Sequence, residues 1–161
     1  MFRRILVPLD GSKLAEGVLS HVVLLAKSCG SKITLFQVVP PATQIVGFAG
    51  TSDLGPIGAT TTEAVTRTIE AETQKAKEYV SHMADSLHAR GIDADWEVRQ
   101  GVVGPTITQF AKQASYDLVA LSTHGRSGIG RLIFGSVADH VLRKSGLPIL
   151  LVKPDMKGEG E

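Results

Sequence analysis

Residues 4–12 read RILVPLDGS, a short apolar run that ends in an Asp-Gly-Ser turn. An apolar run of this length, bounded by turn residues, predicts a buried β-strand, here at Ile5–Leu9. Further runs of strand length, one of them weaker and alternating, follow along the chain at Ile33–Val39, Asp95–Arg99, Leu118–Ser122 and Ile149–Val152. The pattern therefore predicts five strands.

Helical periodicity fills the gaps between these runs. The first predicted helix covers about residues 13–29, with Ser12 as its N-cap and Gly30 directly after its last turn. The second covers about residues 62–90. Because strands with continuous apolar runs alternate with helices, we expect an α/β fold in which helices cover both faces of a mainly parallel sheet.

Two later helices have clear start signals. One opens at Gly104-Pro105, since proline is well tolerated in the first turn. The other begins at Ser136, where Ser136 and Asp139 predict an S-x-x-D capping box.

Length and composition are those of one ordinary globular domain. The chain has 161 residues, 43% hydrophobic and 20% charged, and its 17 basic and 16 acidic side chains give a net charge of +1. This near-neutral balance argues against a duplex nucleic acid as partner, and no apolar run is long enough to predict a membrane span. Cys29 has no second cysteine to pair with and is expected to be a half-buried thiol at a helix end.

Two segments fall outside the regular pattern of the predicted domain at residues 1–154. Residues 40–61 are rich in glycine and proline and are expected to form a long mobile loop or lid; the alternative is a disordered insertion. Residues 155–161 are expected to be a flexible polar tail. Because a strand follows Met1 almost at once, we expect the mature protein to begin near Met1 and to stay in the cytoplasm.

A glycine-rich stretch follows the fourth predicted strand. Residues 122–131 read STHGRSGIGR, and Gly135-Ser136 then opens a helix. Backbone amides of such a loop, together with the positive end of a helix, favour a phosphate chain, and Arg126 and Arg131 could add full charges. The alternative is a glycine-rich surface turn with a capped helix.

Other nucleotide and hydrolase motifs do not fit. Arg131-Leu132 stands where a P-loop requires Lys-Ser/Thr, and no G-x-G-x-x-G follows a strand with the spacing of a dinucleotide site. G-x-S-x-G and H-E-x-x-H are also missing from the sequence. No residue is therefore assigned to catalysis or to a metal site.

Over about residues 2–154, the chain resembles the universal stress protein family. The resemblance rests on the pattern Ser122-x2-Gly125-x9-Gly135-Ser136, on its flanking strands and on the opening RILVPLDGS. ATP-binding members of that family carry G-x2-G-x9-G-S/T, and this chain departs from it only at Ser122. The resemblance implies the ATP-binding subgroup and an adenine nucleotide alpha-hydrolase-like fold: a single-domain, doubly wound, five-stranded parallel sheet of order 3-2-1-4-5. The nucleotide would lie between the ends of strands one and four.

The same resemblance implies a set of ligand contacts. Pro8 and Asp10 would line the adenine and ribose end, and Val38 would pack on the base. The phosphates would be held by Gly125, Gly128, Gly135, the Ser136 hydroxyl and the Val137 amide, and Ser122, His124 and Arg126 complete the predicted binding residues. Each of three residues also has an alternative role without a ligand. This role is a local turn for Asp10, core packing for Val38, and a hydrogen bond to the loop backbone for His124.

The predicted function is that of an ATP-binding module in stress response or signalling, with ATP as cofactor, alone or with Mg²⁺. One alternative is an ATP-hydrolysing or phosphoryl-transferring enzyme that uses Mg²⁺ and Asp10; we expect at most a weak ATPase. Another is a structural dimer of the family that has lost ATP. We also predict a homodimer through Ile149–Val152, because this short apolar edge strand lacks the charges or central proline that keep edges unpaired.

Overall fold

The computed structural model describes residues 2–41, 60–123 and 135–153. Within them, five strands form one parallel sheet of order β3-β2-β1-β4-β5, which confirms the predicted fold. The strands are β1 (Arg4–Leu9), β2 (Lys32–Val39), β3 (Ala94–Gln100), β4 (Leu118–Ser122) and β5 (Ile149–Val152).

The helices that connect these strands are α1 (Lys13–Glu16), α2 (Leu19–Cys29), α3 (Thr60–Ala89), α4 (Val103–Gln113) and α5 (Ser136–Lys144). The prediction of one continuous helix over residues 13–29 is wrong, because the chain breaks between α1 and α2. At the break, the amides of Gly17 and Val18 bond back to carbonyls only three residues earlier. Gly30 follows α2 in the left-handed conformation, at φ +65°, as predicted.

The start of α5 is at the predicted residue, but the predicted capping box is wrong. Gly135 is the N-cap and makes no side-chain cap bond, while Ser136 is already the first helical residue. The carboxylate of Asp139 accepts a hydrogen bond from Arg143 Nε at 2.8 Å, one turn further along the helix. With Gly135 as the N-cap, Asp139 lies one residue beyond the position from which a capping-box side chain reaches back.

Each face of the sheet has its own apolar core. On one face, α2 and α3 cover side chains that include Ile5, Val7, Ile33 and Leu35. On the other, α4 and α5 cover Leu6, Phe36, Val119 and Leu121, and the ring of Phe36 stacks on Phe110 at 4.6 Å. Successive residues of β1 and β2 are buried in opposite cores, because side chains alternate between the two faces of a strand.

Several predictions fall at the margins of the described residues. Residues 42–59, which make up most of the predicted loop, and the whole predicted tail lie outside them. Cys29 ends α2 and is half-buried, as expected. In the described ranges, none of the helices has the length and apolar character needed to cross a membrane.

Candidate functional site

The order of the strands reverses between β1 and β4. Strands β2 and β3 lie in succession on one side of β1, whereas β4 and β5 lie in succession on the other side of β1. In a parallel sheet of this kind, ligands bind at the carboxyl ends of the two strands where the order reverses. The turn after β1 and the segment after β4 therefore flank one crevice.

Pro8 interrupts the hydrogen bonding between β1 and β4. Backbone groups of β1 alternate sides: the Arg3 carbonyl accepts from the Lys32 amide on the β2 side, and the Arg4 carbonyl accepts from the Asp117 amide on the β4 side. The backbone of Pro8 therefore faces β4, where proline offers no N–H donor. The register pairs between these strands are Ile5↔Leu118 and Leu6↔Val119, so the ladder stops before Pro8.

The turn after β1 is held by its own side chains. Asp10 is half-buried, and its Oδ1 accepts a hydrogen bond from the Ser12 amide at 2.9 Å. Gly11 lies at φ +82°, a conformation that other residues rarely adopt. Ser12 Oγ accepts from the Ala15 amide at 3.1 Å, which confirms the predicted N-cap. Asp10 thus has the local turn role considered as its alternative, and its contact with a ligand stays a prediction.

On the other side of the crevice, the end of β4 contacts the start of α5. The Gly135 amide donates to the Thr123 carbonyl at 2.8 Å, and a β-carbon at Gly135 would lie only 3.2 Å from that oxygen. This close approach explains a glycine at residue 135. The first amides of a helix have no acceptor within the helix, so those of Ser136 and Val137 direct positive partial charge toward the same edge.

The remaining described candidates are part of the strands. Val38 is buried beside Phe36 in the core under α4 and α5, which confirms its packing role; its contact with a base stays a prediction. Pro8 is buried within β1. Ser122 is buried at the end of β4, opposite Val152 of β5.

The central residues of the predicted phosphate loop, His124, Gly125, Arg126 and Gly128, lie outside the described residues. Their roles stay predictions. In the described ranges, no group of three or more His, Cys, Asp or Glu side chains could hold a metal ion.

Two features of the site were not predicted. Glu16 accepts hydrogen bonds from Lys13 Nζ at 2.8 Å and from the Tyr79 hydroxyl at 3.1 Å, which links α3 to α1. Burial, with Glu16 and Asp10 nearby, raises the pKa of Tyr79. No sequence pattern could have paired residues 63 positions apart.

The second feature is Gln37. Its Oε1 is buried, yet no described residue donates a hydrogen bond to it. A glutamine inside a strand that is otherwise apolar from Ile33 to Val39, apart from Thr34, was the signal available in the sequence.

Comparisons with known proteins agree with this architecture. The profile of the universal stress protein family matches residues 1–153. A universal stress protein of Methanocaldococcus jannaschii, MJ0531, is 27% identical over 157 residues, covering 98% of this chain and 85% of its own length. The solved structure of MJ0577 superposes with a TM-score of 0.81 at 22% identity and covers 98% and 99% of the two chains.

Two solved structures of the same fold contain nucleotides. A universal stress protein family protein of Arabidopsis thaliana with AMP bound has a TM-score of 0.62 at 13% identity, with 96% of this chain and 93% of that chain covered. A universal stress protein in complex with cAMP has a TM-score of 0.57 at 21% identity, with 94% and 96% covered.

Proposed function

The chain belongs to the universal stress protein family, and we propose that it is an ATP-binding module whose bound nucleotide changes its shape or its choice of partner in stress response or signalling. Its place in the cytoplasm stays a prediction. The proposal goes beyond family membership, because it commits to one ligand and one site.

The observation that carries the proposal is the reversal of strand order between β1 and β4, which in a sheet of this kind places a crevice at their carboxyl ends. Pro8 interrupts the hydrogen bonding between the two strands, the Asp10-Gly11 turn flanks the crevice on one side, and Gly135 with the start of α5 flanks it on the other. A helix N-terminus beside a glycine is a favourable place for phosphate. The AMP and cAMP complexes of relatives support an adenine nucleotide as the guest.

In this proposal one side of the crevice binds the base and ribose, and the other side binds the phosphates. Asp10 and Pro8 lie at the ribose and adenine end with Val38 against the base, and the Ser136 hydroxyl and Val137 amide donate to phosphate oxygens. The other phosphate contacts are assigned to Ser122, His124, Gly125, Arg126, Gly128 and Gly135.

The decisive experiment is nucleotide analysis of the purified protein, followed by calorimetric titration with ATP after the bound nucleotide has been removed. We expect ATP in the protein as isolated and saturable binding of one ATP per chain. A protein that carries no nucleotide and does not bind added ATP contradicts the proposal and favours the nucleotide-free structural alternative.

The enzymatic alternative requires Asp10 to act on ATP with Mg²⁺. In the structure Asp10 Oδ1 already accepts the Ser12 amide, so this carboxylate oxygen supports the turn. Steady-state phosphate release by the wild type and by Asp10→Ala, each with Mg²⁺, separates binding from hydrolysis. We expect at most slow release; rapid release that Asp10→Ala removes would favour the enzyme.

We further propose that two chains pair through β5. This strand forms one edge of the sheet, and Ile149, Leu150 and Leu151 are only half-buried. A two-fold axis at this edge would pair β5 antiparallel with its copy. Sedimentation equilibrium should give a dimer that Leu151→Lys dissociates, whereas Trp96→Lys on the opposite edge strand should stay dimeric. A monomeric wild type near 17.1 kDa, or a dimeric Leu151→Lys, contradicts this interface.

A further inference from the structure

We propose that Gln37 recognises the adenine base of the bound nucleotide, with its Oε1 accepting the N6 amino group and its Nε2 donating to N7. This inference rests on the proposed nucleotide site and adds to it the residue that selects the base. It follows from the position of Gln37, from its buried acceptor and from the hydrogen-bonding pattern of a carboxamide.

The position of Gln37 is at the crevice. In the β1/β2 ladder Gln37 pairs with Leu9, the last residue of β1, so its side chain lies level with the point where β1 turns away. A β-carbon at Gly11 would come within 4.0 Å of Gln37 Nε2, which places the carboxamide beside the Asp10-Gly11 turn. Gln37 and Val38 face opposite sides of the sheet, so a base contacts both by lying across the end of β2.

The buried acceptor needs a donor. Gln37 Oε1 is shielded from solvent and receives no hydrogen bond from the described part of the chain. A buried carbonyl in this state destabilises the fold, because its lost hydration is not replaced. The neighbours on either side in the sheet, Leu9 and Val98, are apolar and offer no side-chain donor. A ligand that brings an N–H group to this place would satisfy the acceptor.

The chemistry of a carboxamide selects adenine among the common purines. Glutamine presents an acceptor and a donor side by side, and the N6 amino group and N7 of adenine present the matching donor and acceptor. Guanine presents two acceptors on the same edge, O6 and N7, so its O6 would oppose Oε1. Gln37 would therefore favour ATP over GTP.

The test compares nucleotide-free wild type, Gln37→Met and Gln100→Met by titration with ATP and with GTP. Methionine keeps the length of the side chain and removes both hydrogen-bonding groups. Gln100 is the matched control, since it ends the neighbouring strand β3 and its Nε2 bonds Thr73 Oγ1 at 3.2 Å. We expect Gln37→Met to bind ATP about tenfold more weakly and to lose most of the preference over GTP, while Gln100→Met matches the wild type.

The same variant should change stability in the opposite direction. Because Gln37→Met removes a buried acceptor to which no described residue donates, the melting temperature of the nucleotide-free protein should rise by about 2–4 °C. Weaker ATP binding by a more stable protein is a combination that a purely structural role does not produce. A lower melting temperature would show that Oε1 has a partner within the protein and would overturn the inference.

A measurement on the wild type alone covers the case in which Gln37→Met does not fold. Purine riboside triphosphate lacks the N6 amino group and 7-deaza-ATP lacks N7, so each should bind about tenfold more weakly than ATP. If the wild type binds ATP and both analogues equally, or if Gln37→Met keeps the wild-type ratio of ATP to GTP affinity, Gln37 does not read the base. A wild type that binds no ATP refutes the proposed function itself, which the first titration reveals before any variant is compared.

Discussion

The two ends of the parallel sheet differ in how their polar groups are paired. At the amino ends of the strands, each start is joined to a neighbour: Asp117 Oδ2 accepts the Arg3 and Arg4 amides at 2.7 and 2.8 Å, and Ser31 Oγ donates to the Phe2 carbonyl at 2.5 Å. At the carboxyl ends, Pro8 interrupts the hydrogen bonding between β1 and β4, and Gln37 Oε1 is buried with no described donor.

Charge reinforces the amino end further. The Arg4 guanidinium lies 4.8 Å from the centre of the Tyr116 ring, and Lys32 Nζ lies 2.6 Å from Asp95. The amino end therefore uses its polar groups to stabilise the fold.

The carboxyl end pairs Asp10 with Ser12 and Thr123 with Gly135. It also holds Gln37 Oε1, a buried acceptor for which no described residue is the donor. Substitutions at the carboxyl end should therefore alter ligand binding, and substitutions at the amino end should alter stability.

The largest effect is expected from Gly135→Val. Its β-carbon would lie 3.2 Å from the Thr123 carbonyl, and its γ-carbons would extend into the space between β4 and α5 where the phosphates are proposed to lie. We expect ATP binding to be abolished in calorimetric titration while circular dichroism still shows a folded protein. Wild-type affinity in the folded variant would remove the site from this end of the sheet.

Ser136→Ala should weaken ATP binding by about 1–3 kcal/mol, because a hydroxyl that donates to a charged phosphate is lost. The hydroxyl takes no part in capping α5, so stability should be unaffected. Ser81→Ala, on the exposed side of α3, is the matched control and should bind ATP normally. Equal affinities for the two variants would contradict a contact between Ser136 and phosphate.

Tyr79→Phe tests the link between α3 and α1. Removing the hydroxyl deletes the hydrogen bond to Glu16 and should lower the free energy of unfolding by about 0.5–1.5 kcal/mol. The pKa of Tyr79 is raised in the folded state. The contribution of Tyr79 to stability is therefore present at neutral pH and is lost as the pH rises through this raised pKa. Urea unfolding at neutral and alkaline pH measures both effects; a variant as stable as the wild type at neutral pH would show that the link is not stabilising.

The smallest effect at neutral pH is expected from Asp117→Asn at the amino end. Hydrogen bonds from the Arg4 and Arg3 amides lower the pKa of Asp117, so its contribution to stability is present above the ordinary aspartate pKa and is lost as the pH falls through the lowered value. Urea unfolding as a function of pH should therefore show a shallower acid loss in Asp117→Asn. ATP affinity should not change, and a changed affinity would break the contrast between the two ends.

Much of the fold could be predicted because the signals are local. The apolar runs match all five strands, and Ser12, Gly30 and Pro105 stand at the ends or first turns of helices as expected. The errors arose where two local preferences compete. The chain breaks at Gly17-Val18 although the apolar period continues across it, and Asp139 bonds Arg143 instead of the cap.

The site could be predicted only in outline. Asp10 and Gly135 were expected at the site from their place after strands and before helices, and the fold brings both to the reversal between β1 and β4. Glu16, Tyr79 and Gln37 were missed, because their meaning depends on neighbours that are distant in the sequence.

The sequence by itself determined the class of fold, since the period of apolar residues decides whether a segment buries one stripe as a helix or both faces as a strand. Only the tertiary structure decided which polar groups have a hydrogen-bond partner among the described residues. Such partners come from segments distant in the sequence, as Asp117 for the Arg3 and Arg4 amides at the start of β1 and Tyr79 for Glu16 at the end of α1 show. The lack of a described donor at Gln37 is likewise a property of the assembled fold, because burial is what makes an unpaired acceptor costly.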